Sequence, residues 1–257
     1  MSKYAVITGA SSGIGAEFAK QLSGLGYELL LVARRADRLR SLQRELPGPS
    51  KIVKADLSAR RGCARVMDAI EDLNVEIFIN CAGFGDFGKF VETDEEKEFS
   101  MVDVNIKAVH YFTKHMLRYF REERQGKGYL LNVASSAGLL PAGPYMATYY
   151  ATKAYVTSLT RAVSCEMKQE HSPVYVGCLC PGPVNTEFND VANVSFALPG
   201  ISPEACVSYA IKKMFQRKTV IVPTLRLRAA VLAGRILPQG VVIPLTARQQ
   251  RKKGGAD

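Results

Sequence analysis

Tyr149 and Lys153 stand four positions apart in Tyr149-Tyr150-Ala151-Thr152-Lys153, a spacing that puts two side chains on one face of a helix. An ammonium beside a phenol favours phenolate and draws a group with an ordinary pKa of about 10 towards neutrality. A tyrosine tuned in this way can give a proton to a carbonyl oxygen or take one from an alcohol. Tyr209 and Lys213 share the spacing, so spacing alone does not choose between the pairs. Context does: Tyr149 follows the strand-like run Leu130–Val133, which leads into Ser135-Ser136-Ala137-Gly138. Tyr209 has no such partner.

A second cluster reads as a phosphate cradle. Thr8-Gly9-Ala10-Ser11-Ser12-Gly13-Ile14-Gly15 lies between the first strand-like run and the first helical one. Glycines there let the backbone turn tightly and approach a pyrophosphate, whose charge the free N–H groups of the helix start can bind. The spacing is GxxxGxG, not the generic GxGxxG of dinucleotide sites. At the end of the second strand, where an NAD site usually places an acidic residue for the ribose hydroxyls, the chain has Arg34 and Arg35. Guanidiniums pair with phosphate, and a carboxylate would repel it, so NADP(H) is the expected cofactor. The plainer alternative is that both arginines begin an exposed basic helix with Arg38 and Arg40.

These groups need a scaffold, and apolar β-branched runs alternate along the chain with segments of helical period. Strands are expected at Tyr4–Thr8, Glu28–Val32, Lys51–Val53, Ile77–Asn80, Gly128–Val133, Val174–Leu179 and Thr219–Val222. Helices are expected at Ile14–Leu25, Asp37–Leu46, Arg60–Leu73, Asp94–Glu123, Tyr149–Glu170 and Pro203–Gln216. The last opens on Ser202-Pro203-Glu204, with Ser as N-cap and Pro at the first helical position. The pattern predicts an α/β fold: a doubly wound, Rossmann-type, mostly parallel seven-stranded sheet with helices on both faces. The long segment from Val184 to Ile201 reads as a functional loop.

The 257 residues suit one large catalytic domain over residues 1–223. Of the formal net charge of +10, eight units fall from Arg217 onward, so residues 224–257 read as a basic, partly apolar extension. Charge gathered in an appendage without a recognition motif excludes nucleic acid as the expected partner. Pro238 and Pro244 interrupt the extension, which therefore cannot be one transmembrane helix. An interfacial element on anionic lipid, a dock for an acidic carrier protein, a cover over the substrate mouth and a plain subunit contact all fit. The six cysteines are scattered without metal-ligand or disulfide spacing, so no metal site is expected. Buried thiols, and no signal segment ahead of the first strand, suggest a cytoplasmic protein.

Taken together and in order, these motifs resemble the short-chain dehydrogenase/reductase family, in its compact single-domain branch, from Lys3 to about Val222. The features are the Thr8–Gly15 turn, Asp56-Leu57, Asn80-Cys81-Ala82-Gly83, Asn105, the Ser136/Tyr149/Lys153 set, and Pro181-Gly182. Cys81 departs from the family's usual Asn, and Ser12 stands where many NADP-dependent members carry a basic residue.

The resemblance implies a catalytic set of Asn105, Ser136, Tyr149 and Lys153. Ser136, thirteen positions before Tyr149, would bind the substrate oxygen, with its neighbour Ser135 as second choice. Lys153 would grip the nicotinamide ribose, and Asn105 would hold a water relay to it. Gly9, Ser11, Ser12, Gly13, Ile14, Gly15, Arg34 and Arg35 would face the phosphates. Asp56 and Leu57 would edge the adenine, and Asn80, Ala82 and Gly83 would pass beneath its ribose. Pro181, Gly182, Val184 and Thr186 would complete the cofactor site. A homodimer or homotetramer is also implied.

Phe84, Phe87, Leu139, Leu140, Tyr145, Phe188, Phe196 and Leu198 offer an apolar pocket lining. It suits a lipid-like ketone or secondary alcohol, of 3-oxoacyl or steroid-like type. The alternative from another class is a non-catalytic NADP(H)-binding sensor. A sugar-nucleotide epimerase would need a larger substrate domain.

Overall fold

The computed structural model describes residues 2–124, 127–188, 192 and 200–251. Seven parallel strands form one sheet: β1 (Tyr4–Thr8), β2 (Glu28–Ala33), β3 (Ser50–Lys54), β4 (Val75–Asn80), β5 (Tyr129–Val133), β6 (Tyr175–Leu179) and β7 (Val220–Ile221). Their order across the sheet is β3-β2-β1-β4-β5-β6-β7, so the chain reverses its direction of winding between β1 and β4. The central strands β1, β2, β4, β5 and β6 are largely apolar because both of their faces are covered, whereas edge strand β3 exposes Lys51 and Lys54. Ile7, Leu31, Ile79 and Leu131 pack with Phe18 and Leu22 of α1 (Gly13–Gly24) and with Met214 of α7 (Pro203–Phe215). Val6, Leu30, Phe78 and Leu130 point the other way, onto Val66 of α3 (Arg60–Asp68) and Phe112 and Phe120 of α5 (Val109–Glu122). The two-residue period of the strands thus becomes two cores.

The remaining helices are α2 (Ala36–Glu45), α4 (Glu95–Val102), α6 (Ala147–Gln169), α8 (Leu225–Ile236) and α9 (Gln239–Arg251). The single helix expected over Asp94–Glu123 is interrupted by a π-helical stretch at Asp103–Ala108, and such stretches frequently occur at functional sites. The expected helix from Arg60 to Leu73 stops at Asp68. The extension forms two helices, with Pro244 inside the second. Val231, Val242, Thr246 and Gln250 are buried, so α8 and α9 dock on the body. No helix among the described residues is long and apolar enough to cross a membrane.

Candidate active site

The cleft opens beyond the carboxyl ends of the strands, where winding reverses and ligands of such sheets bind. It encloses about 360 Å³ and is lined by both sequence clusters: the glycine turn, Arg34 and Arg35 at one end, Tyr149 and Lys153 at the other.

At the cradle, Gly9 has φ +69° and sits so close to Ala82 that a Cβ would lie 2.9 Å from its backbone. A Cβ on Gly15 would lie 2.3 Å from the Gly9 carbonyl oxygen. The Thr8 hydroxyl oxygen accepts the N–H groups of Cys81 (2.9 Å) and Ala82 (3.1 Å). β1 and β4 therefore end in one clasp that uses only the main chain of Cys81, which explains why Cys can replace Asn there. Ser12 precedes α1 without capping it through its side chain, so the first N–H groups of α1 remain available to a phosphate. The cradle fits a pyrophosphate, which Gly9, Gly13, Ile14 and Gly15 would hold.

The arginines differ in their partners. Arg35 donates to the Ser12 hydroxyl (2.9 Å), to the Ser11 hydroxyl (3.1 Å) and to Glu187 (3.1 Å). Arg34 is exposed on the cleft rim. Burial opposes ionisation of Asp56, but hydrogen bonds from Ser58 and the charges of Arg34 and Arg61 hold its carboxyl below the usual value. Asp56, Leu57, Ala82, Gly83, Pro181, Gly182, Val184 and Thr186 all line the cleft. Asn80 does not: its side chain donates to Val109 O (3.3 Å) and Asn132 Oδ1 (3.2 Å), buried between β4, β5 and α5. The Asn80 side chain thus joins β4 to β5 and α5, because a strand-end amide facing the sheet interior needs partners there.

At the other end, the Ser135 side chain is the neighbour that holds the Tyr149 hydroxyl's pKa down against burial, and its Oγ accepts the Ala137 N–H (3.1 Å). Ser136 lines the cleft, but its N–H donates to Pro181 O (2.8 Å) as a short 3₁₀ turn begins. Counting thirteen back from Tyr149 selects Ser136; both serines line the cleft, and it is Ser135, fourteen back, that acts on the Tyr149 phenol. The physical reason is that the serine's position is set by the end of β5, while the loop before α6 takes up the extra residue.

Lys153 is almost wholly buried, and its Nζ donates to Val133 O (3.0 Å). It lies 5.8 Å from the Tyr149 ring centre. Burial lowers its pKa to about 8. Burial also pushes the Tyr149 phenol up, opposed by the Ser135 side chain. The lowering expected from Lys153 does not appear, because desolvation penalises the charged form of both groups. A neutral phenol is the proton-giving form. Tyr209 shows the value of context: Lys213 Nζ lies 5.6 Å from its ring centre, yet this pair sits near the surface, with Arg228 on the Tyr209 hydroxyl.

Asn105, in the π-helical stretch, is fully buried. Its Oδ1 accepts the Phe84 N–H (3.1 Å), and its Nδ2 donates to Phe84 O (2.9 Å) and Thr152 Oγ1 (3.1 Å). A Cβ on Gly83 would lie 2.8 Å from Asn105 Oδ1 and 3.3 Å from Lys153 Nζ. Asn105 thus braces the floor under Lys153, with its side chain hydrogen-bonded to Phe84 and Thr152.

Phe84, Phe87, Leu140 and Phe188 gather around Tyr149, Tyr150 and Met146, with the Phe188 ring 5.5 Å from that of Tyr149. Tyr145 stacks on Phe87 at 6.0 Å. Leu139 instead packs into a separate cluster with Val156 and Cys180, because the 3₁₀ turn rotates it away. Phe196 and Leu198 lie outside the described residues. Sequence reasoning missed Met146, whose flexible apolar side chain had no motif, and Glu187, whose arginine partners lie about 150 positions away.

With this geometry in place, the chain can be set beside known proteins. A model of the short chain dehydrogenase family matches residues 3–194. A 7beta-hydroxysteroid dehydrogenase of Mediterraneibacter gnavus is 28% identical over 227 residues, covering 85% of each chain. The structure of a short-chain dehydrogenase from Sphingobium yanoikuyae in complex with NADPH is 30% identical, covers 93% of this chain and 94% of that one, and superposes with a TM-score of 0.80. A short chain dehydrogenase/reductase from Burkholderia phymatum in complex with NAD is 26% identical, covers 90% and 92%, and has a TM-score of 0.78. The seven-stranded sheet, the glycine cradle at its switch point and the Tyr149/Lys153 pair are therefore those of an oxidoreductase, and the chain belongs to the short chain dehydrogenase family.

Proposed function

We propose that the protein is an NADP(H)-preferring enzyme that interconverts a ketone and a secondary alcohol on an apolar, lipid-like substrate. The observation that carries this reading is the gathering of Ser135, Tyr149 and Lys153 among apolar side chains at the end of a cleft whose far rim carries Arg34 and Arg35.

A bound nicotinamide supplies or accepts the hydride. Tyr149, kept protonated by burial, gives its proton to the carbonyl oxygen in reduction and takes it back in oxidation. The Ser135 hydroxyl donates a hydrogen bond to the same oxygen as negative charge develops on it. Lys153 holds a positive charge at the cleft floor, fixed by Val133 O, and faces the nicotinamide ribose. Asn105 keeps Gly83 and Phe84 in register beneath it. Arg34 and Arg35 hold the 2′-phosphate. Phe84, Phe87, Leu140, Met146 and Phe188 exclude water and favour a bulky steroid-like or 3-oxoacyl substrate. The hydroxysteroid dehydrogenase relative supports that substrate class. Assembly as a homodimer or homotetramer is part of the same reading.

We also propose that the extension rests on anionic lipid. Leu225, Leu232, Ile236, Leu237, Val241 and Leu245 are all exposed on α8, α9 and the turn between them. Arg226, Arg235, Arg248 and Arg251 are exposed in the same segment. Apolar groups interleaved with cations suit a charged interface.

Screening NADPH oxidation against steroid, acyl-thioester and small ketone panels tests the main reading. Turnover concentrated in the bulky panels supports it; turnover of none overturns it.

A further inference from the structure

The segment that follows β6 crosses the cleft from end to end. The Thr186 side chain lies where a Cβ on Gly13 would meet it at 3.1 Å. Phe188, two residues on, packs against Tyr149. Between them Glu187 reaches across to the start of α2, where one carboxylate oxygen accepts from Arg35 (3.1 Å) and the other from Arg38. Arg35 is also the residue whose guanidinium holds both Ser11 and Ser12 of the cradle. One carboxylate therefore ties the loop beside Tyr149 to the arginines at the cofactor's far end.

We propose that Glu187 is a cofactor-specificity residue: an internal anion, anchored also by Arg38, that competes with the 2′-phosphate for Arg35, and so straps the loop across the cleft until a 2′-phosphate displaces it. The inference rests on the NADP(H) reading above. A phosphate dianion brought to Arg35 meets donors already committed to a carboxylate, and like charges cannot share them without cost. An unphosphorylated adenosine leaves the strap in place. The pairs are partly exposed, with side chains 40–43% accessible, so the competition is modest in size and reversible, as a binding step requires.

The discriminating measurement is the affinity of full-length wild type and Glu187→Gln for 2′,5′-ADP and for 5′-AMP, by calorimetric titration without turnover. Glutamine keeps the shape and removes the charge. The expected result is that Glu187→Gln binds 2′,5′-ADP roughly threefold to tenfold more tightly, the scale of two partly exposed ion pairs, with 5′-AMP affinity unchanged. Unchanged or weaker binding of 2′,5′-ADP overturns the proposal, as does equal tightening of both ligands. If the wild type itself does not favour 2′,5′-ADP over 5′-AMP, the NADP(H) reading fails first, and the strap with it.

Discussion

The side chain of Ser135, one residue farther back along the chain than the family spacing selects, opposes the upward push of burial on the Tyr149 phenol. The pair sets the first prediction. Ser135→Ala should lower kcat roughly 100- to 1000-fold, the usual loss of one donor to a developing oxyanion. Ser136→Ala should change it far less, and steady-state kinetics on the two variants distinguishes the serines.

On the proposed reading, cofactor choice rests on the rim arginines. Arg34→Asp should weaken NADPH roughly tenfold to a hundredfold, since a hydrogen bond to a charged group contributes about 1.5–3 kcal/mol, and should leave NADH nearly unaffected. Direct titration of both cofactors reads this out. Equal affinity of the wild type for NADH and NADPH would remove the preference.

The strand and helix positions were largely legible in the sequence because both periodicities were unbroken. β1 matches its expected range residue for residue, and β2 extends by one, to Ala33. What escaped was set by three-dimensional context. The π-helical stretch around Asn105 has no propensity signature. The role of Asn80 depends on which way a strand end faces. Pro238 does separate two helices, as the sequence suggested, but Pro244 sits inside the second without ending it. The Ser135 assignment needed the end of β5, rather than Tyr149, as its ruler.

Lys153 gives the pH dependence a sign. Its pKa falls from the ordinary 10.5 to about 8 in the fold. Below about 8 both folded and unfolded chains carry the proton; between about 8 and 10.5 only the unfolded chain does, so Lys153 makes stability rise with pH across that window. Ketone reduction should fall over the same rise, as the ammonium is lost. Lys153→Met should flatten its share of the stability profile, measured by denaturant unfolding at several pH values.

The extension is anchored where Gln250, buried near the end of α9, donates to the hydroxyl of Tyr150, the neighbour of Tyr149. Gln250→Ala should destabilise the protein by about 1–3 kcal/mol, the cost of leaving a buried polar group unpaired. The intact protein should also bind anionic vesicles at low salt, with each basic residue near the surface contributing about 1 kcal/mol, and should release them as salt rises. Arg235→Glu with Arg248→Glu should weaken that binding, and absence of binding at low salt would refute the lipid contact.

The central claim is that Tyr149 is the proton donor, and the decoy at Tyr209 makes it sharply testable. Tyr149→Phe and Tyr209→Phe can be compared with wild type for NADPH affinity by titration and for reduction of a bulky ketone by NADPH consumption. Tyr149→Phe should keep NADPH affinity while losing roughly 100- to 10,000-fold in turnover, the range for a positioned general acid, and Tyr209→Phe should match wild type in both. Wild-type turnover by Tyr149→Phe, or a selective loss in Tyr209→Phe, would contradict the account.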